Sequence, residues 1–168
     1  MSIINKIIFI IFITIFISKS NAEEVKKMGT HKDWETYVIN NETGKICFAQ
    51  SKPVLQSPKA NPREARLFVS FRPGEKITNE ISVTSGYEFN NKNSVIAQSG
   101  KNKYKLDLIQ ESFAWMTSNK LEIKMIKTMK RGSRIMITAH NQMGSQTKDH
   151  YSLLGFTKAY NATKANCS

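Results

Sequence analysis

Three histidines, two cysteines and a scatter of carboxylates are the side chains in this 168-residue sequence that could do chemistry. His140 and His150 flank a turn predicted over 141–146, with Asp149 beside the second, so a hairpin would bring two imidazoles and a carboxylate into one region. Imidazole and carboxylate are zinc ligands, but a tetrahedral site needs three or four of them converging on one point. Neighbours along a strand point to opposite faces, so Asp149 and His150 diverge, and solvated hairpin histidines are expected rather than a metal site. His31 lies well apart, near the N-terminus. Serines are plentiful, yet none stands in a G-x-S-x-G turn that would expose a nucleophile. Glu80, Glu88 and Asp107 fall in separate segments, and Glu80 is expected to form a structural ion pair with Arg72 rather than to serve as a catalytic acid. There is no glycine-rich phosphate loop. The expectation is therefore no catalytic residue, no metal and no cofactor.

Charge is the stronger signal. The chain carries a formal net charge of +12, and Lys120, Lys124, Lys127 and Arg131 recur at helical spacing, which places them on one face of a helix. Leu121, Met125 and Met129 run alongside as the face expected to be apolar. Such a cationic strip suits an anionic partner, lipid headgroup or glycan, although a solvated lysine face on an ordinary amphipathic helix carries the same pattern. Nucleic acid is not expected, because no ribonucleoprotein or OB-type signature is present.

The elements that would position these groups begin after residue 22. Lys6, the apolar run Ile7–Ile17 and the small-residue stretch Ser18–Ala22 have the order of a signal peptide, with cleavage expected after Ala22. The apolar run is about half the length of a spanning helix, which argues against a retained anchor, and the junction has no cysteine for lipidation. No transmembrane segment remains after cleavage, and loss of Lys6 and Lys19 leaves +10 of the +12. Residues 23–33 are polar without periodicity and read as a flexible arm; the folded domain is assigned to 34–168.

Within that domain Trp34–Val38 and Lys45–Gln50 are β-rich segments joined by turn residues Asn40–Gly44, a predicted hairpin. Pro53, Pro58 and Pro62 make 51–62 a loop. Strands are predicted at Arg66–Arg72, Glu80–Ser85, Ser94–Gln98, Lys103–Gln110, Arg134–His140 and Lys148–Leu153. Leu121–Met129 fits both periods and is assigned as helix, with Ser118 as N-cap, Lys127, Lys130 and Arg131 at the end that suits cations, and Gly132 as terminator. A short second helix is expected over Phe156–Ala165. About eight closely spaced strands with one or two short helices make the fold class mainly β, an antiparallel β-sandwich.

Cys47 and Cys167 are the whole cysteine complement. For an exported chain with an even count a disulfide is the first expectation, and it would close a loop worth about 4 to 5 kcal/mol in the chain-entropy picture. Two free buried thiols are the alternative; the absence of a CxxC pair argues against a redox site.

A family pattern emerges from these segments taken together. Lys45-Ile46-Cys47-Phe48-Ala49-Gln50-Ser51 with Pro53, Phe68-Val69-Ser70, Arg72-Pro73, Asn79-Glu80 with Ser82-Val83, Gly86-Tyr87 and Ala114-Trp115 follow in order. Met129-Lys130-Arg131-Gly132, Asp149 with Tyr151-Ser152-Leu153, Gly155-Phe156-Thr157 with Ala159, and Cys167 complete it. In that order and spacing the chain from Trp34 to Cys167 resembles the invasion-associated locus B family. The resemblance implies an exported, β-rich domain of the bacterial envelope, linked in some pathogens to invasion of host cells, with no established catalytic mechanism. It also implies pairing of Cys47 with Cys167, tying the tail to the first hairpin. The expected function is accordingly a non-enzymatic binding role on a macromolecular partner of the envelope or a host surface, in the periplasm or at the cell surface. A binding or chaperone-like module serving the bacterium's own envelope is the alternative.

Overall fold

A computed structural model describes residues 24–41, 44–60 and 62–168; the signal peptide expected over 1–22 lies outside the described residues. Two antiparallel sheets and two helices make up the fold. The first sheet has seven strands in the order β1-β2-β3-β5-β6-β10-β9: β1 Glu24–His31, β2 Trp34–Asn41, β3 Gly44–Ser51, β5 Arg66–Arg72, β6 Ile77–Thr84, β10 Phe113–Trp115 and β9 Leu108–Gln110. The second has five, β4-β12-β11-β7-β8: β4 Leu55–Ser57, β12 Gln146–Ser152, β11 Arg134–His140, β7 Val95–Ser99 and β8 Asn102–Leu106. Helix α1 spans Asn119–Arg131 and α2 spans Phe156–Asn166.

Side-chain alternation explains the layering. Along β2 Trp34, Thr36 and Val38 are buried while their neighbours are not, and Cys47 and Ala49 on β3, Leu67 and Val69 on β5, and Ile81 and Val83 on β6 continue that face. The opposing sheet turns in Val95, Ala97, Leu106, Ile135, Ile137 and Tyr151. These residues form one core with Met125, Ile126 and Met129 of α1 and Phe156, Ala159 and Tyr160 of α2. Trp34 anchors the join: its ring lies 4.8 Å from that of Phe156, and its indole Nε1–H donates to the Ser152 carbonyl at 3.0 Å.

The predicted hairpin, the mainly β class and both helices are present. Four strands beyond the expected eight have identifiable causes. Glu24–His31, read as part of a flexible arm, is an edge strand paired with β2 through a bulge between Lys27 and Gly29. It lacks periodicity because neither face is buried; main-chain pairing with β2 holds it, helped by the Lys27–Glu35 ion pair. Three residues of the proline-containing loop add β4 at the edge of the second sheet. The single strand expected over 103–110 breaks at Asp107, where the chain passes from one sheet to the other as β8 becomes β9. Phe113–Trp115 then returns as the short β10.

Helix α1 starts as expected, with the Ser118 hydroxyl accepting from the Leu121 amide. Its end differs from expectation in mechanism. Gly132 adopts an extended conformation (φ −88°), so no left-handed turn requires glycine there. A Cβ at this position would stand 3.0 Å from both Leu153 Cδ1 and Ser99 Oγ, so close packing accounts for the residue.

Candidate functional site

The histidine and carboxylate constellation does not assemble. In the β11–β12 ladder His140 stands opposite Gln146 and His150 opposite Met136, so the two imidazoles are separated along the sheet. Asp149 points the other way, into the core, with its side chain 1% exposed. There Arg63 donates to both its oxygens, at 3.0 and 2.5 Å, and also to the Ser85 carbonyl at 3.3 Å. The guanidinium sits 5.7 Å from the Tyr87 ring centroid, and the Tyr87 and Thr147 hydroxyls share a hydrogen bond of 2.6 Å. The arrangement is a buried ion pair bridging a loop and the second sheet. Among the described residues no group of three or more His, Cys, Asp or Glu side chains could hold a metal ion. Glu80 pairs with Arg72 as expected, in a two-pronged contact of 2.7 and 2.8 Å, to which Glu75 adds a third bond at 3.0 Å.

A cavity of about 430 Å³ opens where β6, β9 and β10 meet the start of α1. Arg72 and Glu80 form one side, Leu108, Trp115 and Met116 supply apolar wall, and Glu122 lies at its margin. Sequence reasoning missed Glu122. It is 7% exposed and its Oε1 accepts from the Ile81 amide at 3.0 Å, filling the place beyond the end of β10 where the β6 edge has no strand neighbour. Burial pushes its carboxyl up to about 7; the Ile81 hydrogen bond opposes that shift and the nearby Glu80 charge adds to it. Such a group changes protonation near neutrality, but the lining contains no histidine, cysteine or serine to act with it. The signal was present in the sequence: Glu122, Met125, Ile126 and Met129 have one-face helical spacing, with one carboxylate set among apolar residues.

The cationic strip is on the surface, where helical spacing put it. Lys120, Lys124, Lys127 and Arg131 are all exposed, on the side of α1 opposite the buried Glu122, Met125, Ile126 and Met129. Leu121 was expected with the apolar set and instead stands outside, 43% exposed, as does Ile123 at 41%. Helical geometry places these two on either side of the strip near its N-terminal end. None of the four cations takes part in an ion pair among the described residues. The ion pairs among the described residues lie elsewhere, joining Lys27 with Glu35, Arg63 with Asp149, Arg66 with Glu64, and Arg72 with Glu75 and Glu80; other exposed lysines, such as Lys26, Lys59 and Lys158, also stand outside them. Lys130, on the same helix, lies 3.8 Å from the Tyr160 ring centroid, turned away from the strip.

The outer face of the first sheet is also self-satisfied. Tyr37, Phe48, Phe68, Phe113 and Trp115 contact one another in sequence across it, with ring centroids 5.2 to 6.3 Å apart. Such aromatic contacts along and across the strands stabilise the sheet face.

Cys47 on β3 and Cys167 after α2 form a disulfide, with Cα atoms 5.8 Å apart, closing the C-terminal helix onto the first hairpin. Among the described residues no helix is long and apolar enough to cross a membrane. The profile of the invasion associated locus B proteins matches residues 34–164. By structure the chain is similar to the crystal structure of invasion associated protein B from Bartonella henselae, at 13% identity and a TM-score of 0.57, covering 85% of this chain and 97% of that one. At that identity the likeness shows a shared fold. A search of curated proteins gave no match.

Proposed function

The chain belongs to the invasion associated locus B family, and from that premise we propose that it is an exported envelope protein that works by binding an anionic partner through α1, without catalysis. The family is not a known enzyme family, and family and disulfide together support export. The observation that carries the reading is the concentration of like charge on one face of α1. Lys120, Lys124, Lys127 and Arg131 stand exposed on one helix face and enter no ion pair among the described residues, while Glu122, the one acid of α1, is buried on the opposite side. Unpaired charges of one sign concentrate a field that attracts the opposite sign. The periplasm or the outer surface is the proposed location, with a host surface or the bacterium's own envelope as the place of contact.

A binding module for the cell's own envelope components has one observation in its favour, the cavity walled by Trp115, Met116 and Leu108. The two readings separate on one comparison. The triple variant Lys120→Glu, Lys124→Glu, Lys127→Glu should lose low-salt binding to isolated envelopes and to host cells if the strip is the contact. Unchanged binding to both overturns the strip and leaves the cavity as the site to test.

A further inference from the structure

Resting on that reading of the strip, we infer that its partner is the surface of an anionic lipid bilayer, on which α1 lies with Leu121 and Ile123 lodged among the headgroups. The cations alone do not choose between lipid and acidic polymer; the two exposed apolar side chains do. Leu121 and Ile123 are 43% and 41% exposed on the same two turns as Lys120, Lys124 and Lys127. These five residues, with Asn119, surround a shallow hollow of about 550 Å³ whose walls are mainly apolar. A hydrated acidic glycan offers charge but nothing that takes leucine and isoleucine out of water. An anionic bilayer surface offers both: phosphate groups for the lysine ammonium groups and an acyl boundary for the apolar tips.

About 100° per residue sets Leu121 and Ile123 roughly 70° to 90° either side of the lysine midline, so the cations face a flat surface and the two apolar side chains meet it at the edges of the contact. Lys120 to Arg131 extends about 16 Å along the helix at 1.5 Å per residue, so four headgroups could be met at once. Lysine stems can lie along the apolar hollow while their ammonium ends stay at headgroup level. The buried face of the helix is fixed by Met125, Ile126 and Met129, so α1 would dock as part of a rigid body rather than fold on arrival. The affinity would be weak for one molecule and strongly dependent on salt and on anionic lipid content.

The test uses the protein isolated from its native host and three surfaces: vesicles of phosphatidylcholine with 30 mol% phosphatidylglycerol, vesicles of phosphatidylcholine alone, and immobilised heparin as a sulfated glycan. Two variants accompany it, the triple lysine-to-glutamate chain and Leu121→Ser with Ile123→Ser. Both apolar positions are exposed, and a near-native melting temperature will confirm that the double variant folds. The inference requires binding to the anionic vesicles over the neutral ones, and a loss of tenfold or more in each variant. If the serine variant binds anionic vesicles as tightly as the parent, or heparin is preferred and bound equally by parent and serine variant, the lipid inference fails while the cationic contact survives. If the glutamate variant matches the parent on every surface, the proposed function fails as well.

Discussion

Replacing Glu122 by glutamine should convert a pH-dependent fold into one whose stability is flatter above pH 5. The carboxyl is nearly out of solvent, accepts from the Ile81 amide and faces the Glu80 charge, and its ionisation is displaced from 4.5 to about 7. An acid with a raised native pKa holds its proton more tightly folded than unfolded. Its favourable contribution is therefore complete below about pH 4.5 and is lost as pH rises through about 7. That displacement is worth roughly 3 kcal/mol across the window, at about 1.4 kcal/mol per unit. Glutamine keeps an oxygen for the Ile81 amide and never ionises. Denaturant unfolding of both proteins from pH 4.5 to 9 gives the difference curve, in which groups common to both cancel. The variant should be within about 0.5 kcal/mol of the parent at pH 4.5 and more stable by roughly 2 to 3 kcal/mol at pH 8.5. Parallel curves across the whole range would refute the idea that Glu122 is held away from water.

Three other substitutions probe the frame. Cys47→Ser with Cys167→Ser opens a loop spanning a sequence separation of 120 and should cost about 2 to 5 kcal/mol, seen as a lower melting temperature that added reductant no longer changes. Asp149→Asn leaves the Arg63 guanidinium, 11% exposed, without its counter-charge and should cost about 3 to 5 kcal/mol in urea unfolding. Gly155→Ala puts a Cβ 1.8 Å from the His31 carbonyl oxygen at a residue with φ +89°, so it should destabilise by 2 kcal/mol or more and release protection of the β1 amides in hydrogen exchange.

What the sequence made legible follows from where information is local. The hairpin from Trp34 to Gln50, the Ser118 cap and the Arg72–Glu80 pair depend on residues close in the chain, and each could be read directly. Glu24–His31 could not, because an edge strand with both faces in water carries no alternation. The Arg63–Asp149 pair joins positions 86 residues apart, one of them in a proline-bounded loop, and no spacing rule reaches that far. For α1 the lysine face was legible from its period. The opposite face was misjudged by one position, since Leu121 is a better apolar residue than Glu122 and only the uncovered β6 amide at Ile81 explains why the carboxylate goes inside. That one-position shift also puts Leu121 in water beside the lysines.

Lysine acetylation footprinting of the protein bound to its native envelope tests the contact face directly. Lys120, Lys124 and Lys127 should be protected relative to the free protein, while exposed lysines elsewhere, such as Lys26, Lys59 and Lys158, react equally in both states. Uniform reactivity, or protection centred on a face other than that of α1, would contradict the account.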